Sequence, residues 1–254
     1  MMSPSKHLIP TDSEGCSISP SESQPIRVLG IVPARGGSKG LPRKNVLRLG
    51  DAPLIVHTIR TGQSAHSISR LVVSTEDREI ADISKAATCT VVPRPVALAR
   101  DESLTVDVVA DVLRQLAEAG ELYDIVVLLQ PTCPFRSACD IDGSVAVLLN
   151  GSCDSVVSVT GVGEYRPERM YQARDGLLVS YAEEPPSRRR QDLPELFVRN
   201  GAVYVTWVEA FRSSHSLLSG RLAPFMMPRS RSINIDDEHD LQVARALLAA
   251  RTDE

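Results

Sequence analysis

The chain has 254 residues, 43% of them hydrophobic and 24% charged, which is enough for one sizeable α/β domain or for one domain with a smaller insertion. Its formal net charge of -4 argues against a general nucleic-acid-binding protein, because such proteins normally present a net basic surface. The basic residues are instead concentrated around positions 35–48 and 186–190, a distribution that suits a small anionic ligand.

The chain then divides into a tail and a regular alternation of strands and helices. Residues 1–25 are rich in Ser, Pro and Glu without periodicity, which predicts a disordered tail. The short apolar run Ile26–Val32, ended by Pro33, predicts a buried first strand, and a helix is predicted after Pro53. Further strands are predicted at Leu71–Ser74, Cys89–Val92, Ile125–Leu129, Ser155–Val159 and Ala202–Trp207, and further helices at Asp77–Ala87, Leu104–Leu116, Ile141–Leu149 and Asp237–Arg251.

This alternation indicates the fold class. Strands that alternate with helices are typical of parallel βαβ units, and apolar strands without alternation indicate burial on both faces. The predicted fold is therefore α/β, a doubly wound, mostly parallel, Rossmann-like sheet over residues 26–254 that binds ligands at the carboxyl ends of its strands. Residues 161–198 interrupt the pattern with four prolines and many charges, which predicts a small insertion or arm.

The loop after the first strand carries the strongest chemical signal. It reads Ala-Arg-Gly-Gly-Ser-Lys-Gly-Leu-Pro-Arg-Lys-Asn over residues 34–45. Its glycines let the backbone approach a phosphate closely, while Arg35, Lys39 and Lys44 supply positive charge for a triphosphate. The loop has neither the GK[ST] ending of a Walker A motif nor a GxGxxG fingerprint, which disfavours kinases and dehydrogenases.

The string from Ile31 to Asn45 resembles the signature loop of the acylneuraminate cytidylyltransferases, also called CMP-sialic acid synthetases. A looser version occurs in the wider nucleotidyltransferase class, which includes the cytidylyltransferase for 3-deoxy-manno-octulosonate. The resemblance covers roughly residues 27–250. It continues through Ser74-Thr75, Arg94-Pro95, Gln130-Pro131-Thr132-Cys133-Pro134, Arg190-Gln191-Asp192-Leu193-Pro194, Asn200-Gly201-Ala202-Val203-Tyr204 and Ile233-Asn234-Ile235-Asp236.

The resemblance implies a CTP site. Arg35 and Lys39 would hold the phosphates, and Lys44 would neutralise charge on the α-phosphate and the leaving pyrophosphate. Arg94 would contact the cytosine or ribose, unless it is a surface arginine beside Pro95. The implied catalytic residues are Arg35, Lys44 and Asp236. The implied CTP-binding residues are Ala34, Arg35, Gly36, Gly37, Ser38, Lys39, Asn45, Arg94, Ser103 and Thr105.

The resemblance also implies a sugar site. Gln130 and Thr132 would meet the sugar's hydroxyls and Arg190 its carboxylate, although a run of arginines is also typical of a solvated surface. Cys133 stands where the family usually has serine. It is not interpreted as a nucleophile, because no histidine is placed beside it in the sequence. The implied sugar-binding residues are Gln130, Thr132, Arg190, Gln191, Arg199 and Asn200.

Asn234 and Asp236 are the predicted ligands of a Mg²⁺ cofactor. They are two positions apart on a short extended stretch, so both side chains lie on one face, and side-chain oxygens suit this ion. The family usually has aspartate at both positions, so Asn234 is a departure. An alternative role for Asp236 is to cap the last helix, whose N-terminus also favours the charges of Asp237, Glu238 and Asp240.

Together the motifs imply transfer of CMP from CTP to the anomeric hydroxyl of a nine-carbon, sialic-type 2-keto sugar acid, with release of pyrophosphate. Legionaminic, pseudaminic and octulosonic acids stay open as substrates. A catalytically inactive CTP-binding module and a glycosyltransferase are the alternatives from other classes. The family is usually dimeric, which implies a homodimer in which the predicted arm, residues 161–198, packs on the second subunit.

The cellular setting is predicted from the cysteines and from the hydropathy. Five cysteines, without zinc or CxxC spacing, are expected to be reduced thiols. No apolar run approaches the ~20 residues that span a membrane, and the N-terminus lacks the pattern of a secretory signal. A cytoplasmic protein is therefore expected, with neither a membrane nor a nucleic acid as partner.

Overall fold

The structure is a computed structural model that describes residues 25–182 and 194–252. The predicted tail, apart from Pro25, and the predicted sugar-site residues Arg190 and Gln191 lie outside these ranges. The described strands are β1 (Val28–Pro33), β2 (Arg48–Leu49), β3 (Ala52–Pro53), β4 (Arg70–Thr75), β5 (Thr90–Pro93), β6 (Ile125–Leu128), β7 (Ser155–Gly161), β8 (Tyr171–Arg174), β9 (Leu177–Ser180), β10 (Phe197–Trp207) and β11 (Leu222–Met226). The described α-helices are α1 (Leu54–Ser64), α2 (Arg78–Ala86), α3 (Thr105–Glu118), α4 (Ala138–Asn150), α5 (Val208–Ser214) and α6 (Glu238–Thr252).

Seven strands form the main sheet, in the order β11-β7-β10-β6-β1-β4-β5. β1 lies at its centre and pairs in parallel with β4 on one side and β6 on the other. Among the described strands of this sheet only β10 runs against its neighbours, antiparallel to both β6 and β7. The predicted doubly wound, mostly parallel sheet is confirmed, and the carboxyl ends of β1 and β6 meet at one edge.

Helices cover both faces of the sheet over two hydrophobic cores. One core contains Val32 and Ile55 and lies beneath α1, α2 and α4. The other contains Ile31 and Phe211 and lies beneath α3 and α5. Because neighbouring residues of β1 enter opposite cores, the strand is a continuous apolar run rather than an alternating one. None of the helices in the described ranges combines the length and apolar character that a membrane crossing requires.

A third core cluster joins the loop after β1 to the C-terminal helix. Its members are Leu41, Leu49, Leu54, Phe135, Ile235, Leu241 and Ala244. Ile235 is fully buried, and its N–H donates to the carbonyl oxygen of Thr132 at 2.8 Å. An added Cβ on Gly40 would lie 2.5 Å from the carbonyl oxygen of Asp236, so the loop packs closely on residues 233–236.

The structure differs from the prediction around the arm. β10 begins at Phe197 rather than Ala202, because the strand continues through an irregular step where Gly201 has φ 77°. β8 and β9 form a separate hairpin inside the predicted arm, and all of their side chains are exposed, including those of the short apolar run at residues 177–179. β11 and α5 have no counterpart among the predicted elements.

Candidate active site

A polar cavity of about 430 Å³ opens at the carboxyl ends of β1 and β6, where the sequence predicts ligand binding. The predicted site residues that line it are Arg35, Gly37, Ser38, Lys44, Asn45, Arg94, Ser103, Thr105, Gln130, Thr132, Asn234 and Asp236. Ala34, Gly36 and Lys39 lie on the same loop but outside the lining. Motifs that are far apart in the chain therefore meet in one place.

Acidic residues after β4 fix the shape of the loop after β1. Glu76 accepts a hydrogen bond from the N–H of Gly36 at 2.7 Å, and Asp77 forms an ion pair with Arg43 at 2.6 Å. The Arg43 guanidinium also holds the pKa of Asp77 below its ordinary value. A Cβ on Gly36 would lie 2.5 Å from the Asp77 carboxylate, so glycine is required there. Arg43 therefore holds the loop rather than lining the cavity.

Asp101 binds two of the predicted phosphate ligands. Its carboxylate lies 2.8 Å from the Arg35 guanidinium and 3.1 Å from the Lys39 ammonium. Hydrogen bonds from Lys39 and Arg35 hold the pKa of Asp101 below its ordinary value. Asp101 lines the cavity, yet it was not among the predicted residues. An anion of the protein therefore occupies the position that the cations would offer to a phosphate.

Lys44 and Asp236 form an ion pair on the cavity lining. The Lys44 ammonium lies 2.9 Å from one Asp236 carboxylate oxygen, although the residues are 192 positions apart in sequence. The Lys44 side chain is only 14% exposed, whereas that of Asp236 is 63% exposed. The amide nitrogen of Asn234 donates a hydrogen bond to the other Asp236 oxygen. One largely covered cation and one accessible carboxylate are thereby fixed side by side.

The alternative role of Asp236, capping the last helix, belongs to Asp237. The Asp237 carboxylate accepts a hydrogen bond from the N–H of Asp240 at 2.9 Å. The Asp240 carboxylate in turn accepts from the N–H groups of Asp236 and Asp237. The side chain of Asp236 takes no part in this cap and lines the cavity instead.

Arg94 is buried rather than on the surface. Its guanidinium donates to the carbonyl oxygen of Ser74 at 2.7 Å and to the Ser74 hydroxyl at 3.3 Å. Burial lowers the pKa of this guanidinium from its ordinary value. Arg94 is thus anchored at the end of β4 and lines the cavity together with Ser103 and Thr105, as the resemblance implies for a nucleoside site.

A second cavity of about 410 Å³ adjoins the first and shares Gln130 and Asn234 with it. Its other lining residues are Thr160, Val198, Arg199, Asn200, Gly201, Tyr204 and Ser232. Hydroxyl, amide and guanidinium groups predominate in this lining. The predicted sugar-site residues Arg199 and Asn200 are therefore brought together with Gln130, while Thr132 lines only the first cavity.

Two predicted asparagines use their amides within the protein. Asn45 donates to the carbonyl oxygen of Arg35 at 2.9 Å, which closes the loop on itself. Asn200 is 5% exposed, accepts from the Ser158 hydroxyl at 2.6 Å and donates to the Ser232 hydroxyl at 2.9 Å. Both residues line a cavity, but these hydrogen bonds show that they shape its wall.

A buried arginine that was not predicted ties the two cavities to the core. Arg136 donates to the carbonyl oxygens of Ala202 and Gln130 at 2.6 and 2.8 Å and to the Thr58 hydroxyl at 2.5 Å. Complete burial lowers its pKa to about 10. Its position just after the Gln130–Pro134 motif is the sequence signal that could have singled it out.

Comparison with known proteins agrees with this geometry. A family model described as cytidylyltransferase matches residues 29–217. The chain is 31% identical to a CMP-N,N'-diacetyllegionaminic acid synthase of Legionella pneumophila, with 88% of this chain and 97% of that protein covered. It is 29% identical to an N-acylneuraminate cytidylyltransferase of Streptococcus agalactiae, with 83% of this chain and 50% of that protein covered. The chain thus spans about half the length of the curated N-acylneuraminate cytidylyltransferases that it matches.

Solved structures share the fold. A CMP:2-keto-3-deoxy-manno-octonic acid synthetase in complex with CTP superposes with a TM-score of 0.69 at 15% identity, covering 89% of this chain and 99% of that one. A 4-diphosphocytidyl-2C-methyl-D-erythritol synthase superposes with a TM-score of 0.64 at 12% identity, covering 89% and 100%. At such low identity these likenesses concern the fold alone.

Proposed function

The chain belongs to the cytidylyltransferase family, and we propose that it transfers CMP from CTP to the anomeric hydroxyl of a nine-carbon, sialic-type 2-keto sugar acid, releasing pyrophosphate. The observation that carries this proposal is the joined pair of cavities. Arg35 and Lys44 line the first and Arg199 lines the second. A cavity with several cations fits a triphosphate, and a polar neighbour with an arginine fits a hydroxylated acid.

The proposed reaction is a single in-line displacement. The anomeric oxygen forms a bond to the α-phosphorus of CTP as the bond from that phosphorus to the bridging oxygen of the β-phosphate breaks. Pyrophosphate leaves, and the anomeric hydroxyl gives its proton to water. The rate enhancement comes from positioning of the reactants and from charge neutralisation, with Arg35 and Lys44 stabilising the phosphates. No histidine occurs among the described residues that line the cavity.

The cavity fits Mg²⁺, which belongs to the proposal as the cofactor. This ion is usually held by one or two carboxylates together with substrate phosphates. Asp236 supplies one accessible carboxylate on the lining. No cluster of three or more His, Cys, Asp or Glu side chains suited to a metal occurs in the part of the chain that the structure describes. Asp236 would therefore hold the ion with the phosphates, and the ion would supply positive charge near the α-phosphate.

The relatives favour a nine-carbon acid over an eight-carbon one. Proteins named for N-acylneuraminic and N,N'-diacetyllegionaminic acids match this chain at 29% and 31% identity. The octonic acid synthetase, in contrast, resembles the chain only in fold. The proposed substrate is therefore an acid of the sialic type, with legionaminic acid as a second candidate.

We also propose a cytoplasmic location. The described cysteines are Cys89, Cys133, Cys139 and Cys153, and all of them carry free thiols. Free thiols are typical of a reducing compartment, which supports this proposal.

The test is pyrophosphate release from CTP and Mg²⁺ in separate assays with N-acetylneuraminic, legionaminic, pseudaminic and octulosonic acids. Release with a nine-carbon acid, and none without a sugar acid, is the expected result. Release with octulosonic acid alone would overturn the proposed substrate class. Tight CTP binding without release from any of the acids would instead indicate a CTP-binding module.

Replacing Asp101 by asparagine is expected to tighten CTP binding about three- to fivefold. The incoming triphosphate must displace this carboxylate from Arg35 and Lys39, and partly exposed ion pairs have effects of this size. Calorimetric titration with CTP measures the change. Asp107→Asn is the matched control, because Asp107 is a carboxylate of similar exposure that pairs with His215 away from the cavity. Weaker CTP binding by Asp101→Asn would show that Asp101 holds the cations in place for the nucleotide.

The predicted homodimer is also part of the proposal, with the β8–β9 hairpin as the contact. Leu177 and Leu178 in β9 are 71% and 72% exposed, and Tyr171 in β8 is exposed as well. Tyr165 and Tyr181, which lie outside the two strands, are also exposed. Large apolar side chains exposed on one short segment favour a surface that binds another protein. A second copy of the chain is the occupant that the resemblance implies.

Leu178→Asp is therefore expected to convert the dimer to a monomer at micromolar concentration, because it places a charge in an apolar contact. Sedimentation velocity measures the change. Leu122→Asp is the control, since Leu122 is comparably exposed, at 61%, but lies in the loop between α3 and β6. A wild-type protein that sediments as a monomer would refute the proposed dimer.

A further inference from the structure

Two residues that depart from the family pattern, Cys133 and Asn234, are in contact. The Cys133 thiol lies 3.5 Å from the side-chain oxygen of Asn234 and 3.1 Å from the carbonyl oxygen of Asn200. Both partners are oxygens that can only accept, so the thiol is the donor and its one hydrogen is shared between them, with the Asn200 carbonyl oxygen the nearer acceptor.

Gly201 allows this contact to form. Its φ of 77° is in the left-handed region, and an added Cβ would lie 3.0 Å from the Gln130 side-chain oxygen and 3.4 Å from the Cys133 sulfur. A side chain at position 201 would therefore be strained and would crowd Gln130 beside the thiol. The Asn234 amide, packed into this corner, has one orientation in which its oxygen faces the thiol.

The orientation of the amide decides what Asn234 offers to Asp236. With its oxygen toward Cys133, the amide presents its nitrogen to Asp236 and donates a hydrogen bond to one carboxylate oxygen. The other carboxylate oxygen accepts from Lys44 at 2.9 Å. Each Asp236 oxygen therefore has one donor, and the Asn234 oxygen points away from the carboxylate rather than toward a shared ion.

We propose that Asn234 is a positioning residue for Asp236 and not a metal ligand, and that Cys133 fixes the orientation of its amide. This inference rests on the proposed function and replaces the expectation that both residues bind Mg²⁺. Asp236 would then be the one residue of that pair to hold the ion, together with triphosphate oxygens and water, as is common for Mg²⁺ sites. An aspartate at position 234 could not donate to Asp236, so the departure changes the role of the position.

The first test measures how much Mg²⁺ strengthens CTP binding, by calorimetry with and without the ion and with no sugar acid present. In Asn234→Ala, the factor by which Mg²⁺ raises CTP affinity is expected to stay within about threefold of the wild-type factor. Its kcat is expected to fall about tenfold, as when supporting contacts around metal ligands are lost. Asp236→Ala is expected to lose the strengthening. An equal loss in Asn234→Ala would overturn the proposal, and so would a wild-type protein whose CTP affinity does not respond to Mg²⁺.

The second test compares two substitutions of Cys133. Cys133→Ser keeps a donor and is expected to retain kcat within about twofold, whereas Cys133→Ala frees the amide and is expected to lower kcat about fivefold with KM for CTP unchanged. Equal turnover by both variants would refute the role of the thiol. Thermal melting checks folding, and the Asn234 test remains decisive if the alanine variant does not fold. Absence of turnover with every acid would contradict the proposed function, while the calorimetric result would still stand.

Discussion

Lys44→Ala is expected to lower kcat about 100-fold or more, the range for removal of a preorganised group that stabilises charge in a transition state. The Lys44 ammonium is fixed 2.9 Å from Asp236 on a side chain that is largely buried, so it cannot be replaced by a neighbouring flexible cation. Its loss would also leave the Asp236 carboxylate without its counter-ion, facing the phosphates. Pyrophosphate release at saturating CTP and sugar acid measures the effect.

The control for this experiment is Lys85→Ala. Lys85 is an exposed lysine in the last turn of α2, outside the cavity, so kcat should stay at the wild-type level. Turnover by Lys44→Ala equal to that of the wild type would refute the catalytic role. A rise in KM for CTP with unchanged kcat would indicate that Lys44 binds the nucleotide but does not stabilise the transition state specifically.

Asp236→Asn is also expected to have a large effect, a fall in kcat of about 1000-fold. A bound metal ion contributes several kcal/mol to stabilising transition-state charge, and this substitution removes the carboxylate proposed to hold it. Addition of EDTA to the wild-type protein is expected to have a comparable effect. Dependence of the rate on Mg²⁺ concentration measures both, and a variant with wild-type Mg²⁺ dependence would contradict the assignment.

Asp237→Ala separates loss of the ion from damage to the last helix. Asp237 caps α6 through the N–H of Asp240, so its removal should cost about 1 kcal/mol of the free energy of unfolding. It does not line the cavity, and kcat at a temperature well below the melting point should be unaffected. A fall in kcat like that of Asp236→Asn would mean that the geometry of the helix, and not the ion, limits turnover.

The sequence predicts the fold well where physical patterns are local. Apolar runs such as Ile125–Leu129 and the helical periodicity of Leu104–Leu116 are set by neighbouring residues, and the structure has β6 and α3 at these places. β10 shows the limit, because Arg199, Asn200 and Gly201 interrupt its apolar residues and the prediction begins only at Ala202. The hairpin at residues 171–180 was not predicted for a different reason. Its strands are exposed on both faces, so they have no buried face that a sequence pattern could indicate.

The candidate site was predictable to the extent that its residues share a motif. Arg35 and Lys44 are on one glycine-rich loop, and their charges are evident from the sequence. Asp101 and Asp77 are different, because each meets its arginine through contacts between separate βα units. A lone aspartate before or after a helix is most often a cap or a solvated charge, so only the folded arrangement shows that these two control the loop.

The third core cluster has a consequence for how the protein is made. It holds residues 233–236 against the loop after β1, and the Lys44–Asp236 pair joins segments 192 positions apart. During synthesis the loop emerges early, while its partner carboxylate emerges only after every strand of the main sheet has been made. A nascent chain with a complete sheet would therefore still lack the Lys44–Asp236 pair. On the proposed mechanism, activity therefore requires that residues 233–236 dock on the loop after β1.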